Sequence, residues 1–119
     1  MKHATAPSLC YHFVLLVGAS GSGKLRPPDR FAVFQRAANR FPGFFIQEGE
    51  GSFRGHSEDC LRVEIATLDA VSVIELAEEI REALHLEAVG VSWAGIYQRV
   101  LDDSDPEELV GKWNLPRLN

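Results

Sequence analysis

Residues 18–24, Gly-Ala-Ser-Gly-Ser-Gly-Lys, come one residue short of a phosphate-binding loop. Such a loop presents successive backbone N–H groups to a phosphate, a Lys to its oxygens and a Ser or Thr hydroxyl to magnesium, and a helix begins at that hydroxyl. Here Leu25 follows Lys24, and Arg26-Pro27-Pro28 delay the helix. Leu25 has no hydroxyl to give a metal, and nucleotide hydrolysis also needs a second acidic strand end. The expectation is a connection between a strand and a helix, at most a weak anion seat at Gly21, Gly23 and Lys24.

Cys10-x-His12 and His56-x-x-x-Cys60 supply the ligand types of a zinc site. Their strands, if paired antiparallel, hold Cys10 near Thr67 and Cys60 near Val17, about 20 Å apart at strand rise. Neither a shared metal nor a disulfide spans that distance. The expectation is therefore no metal and no cofactor. His56-Ser57-Glu58-Asp59 offers a base, a hydroxyl and two carboxylates, but adjacent residues do not converge as a triad does. It reads as a polar turn. His85 falls at a helix end, where the dipole suits it.

The elements that position these residues follow from periodicity. Tyr11–Val17 is an apolar run ending in glycine, read as a strand buried on both faces rather than a signal-peptide core. Pro27-Pro28-Asp29 opens a helix whose Phe31, Phe34, Ala38 and Phe41 form a stripe at helical spacing. Phe44–Glu48 starts a second strand, loosened by Gly49 and Gly51, and residues 55–59 form a turn. Cys60–Thr67 alternates, with Leu61, Val63 and Ile65 on one side and Arg62 and Glu64 on the other. Asp69 caps a second helix burying Val73, Leu76, Ile80 and Leu84. Residues 88–101 give a long last strand. The organisation is a lead at 1–10, a domain at 11–101 and an acidic tail at 102–119 containing Trp113.

The order βαββαβ over residues 11–101 resembles the ferredoxin-like superfold. That resemblance implies an α+β sandwich with an antiparallel sheet in the order 4-1-3-2 and both helices on one face. Phe41-Pro42-Gly43 followed by residues 49–54 is similar to small bacterial proteins of this topology, which lend no activity. The first and last strands are apolar on both sides, unlike a sheet with one wet face. The open face is therefore expected to be covered, by a second copy, by the tail with Trp113 or by a partner. The candidate surface is Arg62, Glu64, Ser92, Ala94, Ile96 and Trp113.

The chain has 119 residues and a formal net charge of −5. This size gives one core, and the negative balance argues against nucleic acid. Two cysteines suggest a reducing, cytoplasmic setting, and no apolar run reaches the length of a membrane span. The first helix is basic outside and the second acidic. With no catalytic set assembled, the leading expectation is a homodimeric, non-catalytic binding module. Its sharper form is a small acidic inhibitor or accessory protein, of phage or mobile-element type, acting on a basic nucleic-acid-handling partner. The alternative is a small dimeric enzyme or ligand sensor, with a pocket between sheet and helices lined by His12, Trp93 and Tyr97.

Overall fold

A computed structural model describes residues 9–19 and 23–118. The chain runs β1 (Tyr11–Gly18), α1 (Pro27–Arg40), β2 (Phe45–Phe53), β3 (His56–Thr67), α2 (Ala70–Ala83), β4 (Val89–Trp93), β5 (Ile96–Val100) and α3 (Pro106–Trp113). The strands form one antiparallel sheet in the order β2-β3-β1-β4-β5. The α+β class stands, and the core of the expected order is present. The four-strand, two-helix description is corrected to five strands and three helices.

The extra strand comes from a break in the run 88–101. Ala94 and Gly95 have φ of 50° and 80°, so they make a two-residue turn of the kind that matches strand twist. That turn folds β5 back along β4, with Trp93 opposite Ile96. Arg54 and Gly55, at φ 53° and 79°, do the same between β2 and β3. The polar residues His56–Asp59 therefore begin β3 rather than form a turn.

One face of the sheet carries the core. Phe13, Leu15 and Val17 lie on it with Leu61, Val63, Ile65, Val89 and Val91, all essentially inaccessible. α2 buries Val73, Ile74, Leu76, Ala77 and Ile80 against them, and the Asp69 carboxylate accepts the Ser72 N–H at 3.1 Å to cap it. The stripe expected on α1 is corrected, because its buried side is Val33 and Ala37. Phe31 and Phe34 are exposed, and Phe34 packs edge-on to Phe44 at 5.4 Å. Val33, one residue off the aromatic spacing, is fully buried where α1 packs onto the fold, and α1 also contacts α2. Arg40 crosses that contact to bond Glu79 and, at 3.2 Å, Glu75, so part of the charge contrast between the helices is consumed inside the fold.

The tail is not a cover for the open face. Asp105 caps α3 by accepting the Glu107 N–H, and the helix buries Leu109 and Trp113 on the core side. The Trp113 ring lies 5.5 Å from Phe13, and its Nε1–H donates to the Ile96 carbonyl at 3.0 Å. Trp113 is therefore a core residue and leaves the proposed partner surface. The Tyr11 hydroxyl donates to the Pro116 carbonyl and ties the end of the chain to β1. Among the described residues, no helix is long and apolar enough to cross a membrane.

Candidate active site

The open face is built by the alternate residues of each strand. Register places Leu16 between Arg62 and Gly90, and Val14 between Glu64 and Ser92. Arg99 lies opposite Gly90, and Tyr97 opposite Ser92. Val14 is buried, and Leu16 is 37% exposed.

Toward the C-terminal end of β1 this face hollows into a cavity of about 440 Å³. That volume falls in the ordinary range for a small-molecule site, about 300–1,000 Å³. Its floor exists because side chains are missing there. Gly18, Gly51 and Gly90 line it, and two of them admit a neighbour. A β-carbon at Gly90 would collide with the Tyr97 ring, and one at Gly18 with the Glu58 carboxylate. The ring and the carboxylate thus lie down onto the sheet from opposite sides of Leu16. A strand glycine often marks such a close approach.

The remaining walls are Cys60 on β3, Arg99 on β5 and the turn His85–Ala88. His85 takes φ 55° where α2 ends. There the Leu86 N–H returns to the Arg81 carbonyl at 2.9 Å, closing the helix and turning the chain across the cavity mouth. Arg99 stands 3.9 Å from Glu87, with both side chains more than half exposed, a pairing loose enough to yield to a ligand. Burial, and then the neighbouring Glu58 charge, push the Cys60 thiol above its usual range. A thiol so held is a poor nucleophile at neutral pH. The cavity therefore offers an aromatic face, a carboxylate and a guanidinium around an apolar floor.

The near phosphate loop borders this site. Gly18 and Ala19 line the cavity, while Gly21 lies outside the described residues. Gly23 and Lys24 do not line it, and the backbone there is clasped to β3. The Asp59 N–H donates to the Gly23 carbonyl at 2.8 Å, and the Asp59 carboxylate accepts the Leu25 N–H at 2.9 Å. Leu25, where a phosphate loop keeps its hydroxyl, is 5% exposed and anchors the connection in the core.

The expected pocket residues do not converge. Trp93 sits opposite Phe13 on the helix side, edge-on to Tyr11 at 6.4 Å. His12 is on the open face at the far end, its Nε2 3.0 Å from Glu64 Oε1. Tyr97 alone of the three lines the cavity described above. Of the surface set, Arg62, Glu64 and Ser92 share the open face, Ala94 is in the β4–β5 turn and Ile96 follows it. Glu58, Cys60, Arg99 and the two glycines were missed as site residues. An isolated Gly90 within an apolar strand was the available signal.

Two solved structures share this fold, both of a phage SAM lyase. One, in complex with S-methyl-5'-thioadenosine, is 20% identical with a TM-score of 0.51, covering 82% of this chain and 92% of that one. The other, in the apo state, is 16% identical with a TM-score of 0.51, covering 88% and 99%. No protein-family model matches the chain, and no curated protein matches it. At these identities the likeness establishes a common fold. Both neighbours are nonetheless enzymes, which overturns the expectation of a non-catalytic inhibitor module. The small-enzyme alternative agrees better.

Proposed function

We propose that this chain is a small lyase acting on S-adenosylmethionine, with its substrate in the cavity floored by Leu16, Gly18 and Gly90. The observation that carries the reading is the chemistry of that cavity on the backbone of the phage SAM lyase fold. S-adenosylmethionine has a planar adenine, a sulfonium cation and an amino-acid end. Tyr97 offers its ring to the base or the cation, Arg99 matches a carboxylate, and Glu58 and Glu87 match positive charge.

The chemistry asks little of a catalytic base. When the bond from sulfur to the four-carbon chain breaks, sulfur keeps the electron pair and leaves as neutral S-methyl-5'-thioadenosine. A lyase adds no water, so the released carbon is satisfied within the fragment, by its own carboxylate closing on it, which needs no base, or by loss of a neighbouring proton to the Glu58 carboxylate or to solvent. In either course positive charge at sulfur disappears in the transition state. A less polar floor favours that loss of charge over the charged ground state, and the role of Tyr97 and Arg99 is to hold the chain extended or folded as the reaction needs.

We also propose that the working form is a self-associated one in which a second copy closes over the open face, because no helix of the described chain covers it. Calorimetric titration with S-methyl-5'-thioadenosine tests the site. Saturable binding that weakens at least fivefold in Tyr97→Ala and little in Arg99→Ala, whose carboxylate partner this product lacks, supports the reading, and unchanged binding in Tyr97→Ala contradicts it. Light scattering across a concentration series tests the association, which a strict monomer would exclude.

A further inference from the structure

The open face ends in a second cavity, of about 850 Å³, beyond the opposite end of β1. It shares no lining residue with the first. Phe41, Pro42, Phe44, Phe45 and Leu68 form apolar walls, and Glu64 and Asp69 are its charged residues. Asp69 is committed to capping α2, where its carboxylate accepts both the N–H and the hydroxyl of Ser72.

Glu64 is different, because register sets Phe45 directly opposite it on the same face. Such cross-strand partners hold their β-carbons about 5 Å apart, so an aromatic ring stands beside a carboxylate. Phe45 is 77% exposed, which leaves its surface open to a ligand. The carboxylate is held in place by the His12 Nε2–H donating at 3.0 Å to one oxygen, and Arg62 lies 3.5 Å from the other. Arg62 is on the side away from the cavity and does not line it.

We propose that this cavity is a second binding site, for an organic cation of the alkylated-ammonium type carrying an apolar body. The cation sits between the Phe45 ring and the Glu64 carboxylate, and its apolar part fills the space walled by Phe41, Phe44 and Leu68. A ring face attracts a diffuse cation through its quadrupole, and methylated ammonium groups are the ligands that gain most from such a contact. Among the described residues neither Lys nor Arg lines the cavity, and His12, which does, is turned to the Glu64 carboxylate. The site is separate from the lyase reading and survives its failure.

The probe is benzyltrimethylammonium, followed by chemical-shift changes on the full chain, with benzyl alcohol as the neutral comparator. The expected result is saturable binding with shifts centred on Phe45, Glu64 and His12, and tighter binding than the alcohol by about tenfold. Glu64→Gln and Phe45→Ala weaken it by a similar factor, Phe45→Trp strengthens it, and Tyr97→Leu leaves it unchanged. Equal binding of the alcohol would overturn the proposal, as would indifference to Glu64→Gln with no gain in Phe45→Trp. Competitive displacement by S-adenosylmethionine would also overturn it, by placing the substrate here.

Discussion

Gly90→Ala tests whether the cavity floor is made by an absent side chain. The new β-carbon enters space that the Tyr97 ring occupies. Tyr97 is 53% exposed, so the ring can swing into solvent and the backbone need not move. An alanine in a strand also recovers about 0.5–1 kcal/mol over glycine. Stability should therefore stay within about 1 kcal/mol of the parent, a shift of a few degrees in Tm at most. Activity behaves differently, because the aromatic platform has left the site. A base stacked on an aromatic side chain is worth about 1–3 kcal/mol, which predicts a fall in kcat/KM of about 5- to 150-fold. Tyr97→Ala removes the same platform, so the double variant should be no worse than Tyr97→Ala alone. The assay is release of S-methyl-5'-thioadenosine from S-adenosylmethionine for the three variants, with thermal melts alongside. A fully active Gly90→Ala, or a double variant whose losses add, would refute the geometry.

Other parts of the structure yield independent expectations. Trp113→Ala should cost about 3–5 kcal/mol in chemical denaturation, the usual range for emptying a buried aromatic site. Trp113→Phe should cost about 1–2 kcal/mol, since the Ile96 carbonyl loses its donor. Asp59→Ala frees the Leu25 amide and should lower stability by about 1–2 kcal/mol, with a matching fall in the denaturation midpoint. Cys60 should react with iodoacetamide more slowly than a free thiol at pH 7.5 and catch up only in alkaline solution, because its thiol is held above the ordinary range. By linkage the unfolded thiol ionises first, so Cys60 adds nothing against folding below the ordinary thiol pKa and erodes stability as pH rises past it. A thiol that labels at the free rate at pH 7.5 would contradict this.

Much of the architecture was legible because it rests on periodicity. The alternation in Cys60–Thr67 and the capped apolar stripe after Asp69 both became the elements they predict, and β1 pairs with β3 within one residue of the expected register, Gly18 lying opposite Cys60. Two failures had local causes. Ala94 takes a left-handed φ that a non-glycine residue adopts infrequently, so the turn that splits the last strand carried only the single signal of Gly95. On α1, the larger Phe31 and Phe34 suggest the buried stripe, but Val33 and Ala37 are the residues the fold buries.

The site itself was legible only in fragments. The sequence groups Tyr97 with His12 and Trp93, which β pairing sends to the far end and to the opposite face. Glu58 reads as part of a turn because the polar run 56–59 resembles one, whereas Arg54 and Gly55 make the turn alone. Arg99 and Gly90 meet only when β5 folds back on β4, a contact that a single long strand does not have.

Turnover of S-adenosylmethionine tests the proposed lyase activity directly. Purified protein incubated with S-adenosylmethionine in ¹⁸O-labelled water is followed by mass spectrometry. S-methyl-5'-thioadenosine should accumulate over a boiled control, more slowly in Tyr97→Ala, with a four-carbon fragment that carries no label from water as it is released. No S-methyl-5'-thioadenosine above the boiled control, or a rate that Tyr97→Ala and Arg99→Ala leave untouched, would contradict the proposed activity.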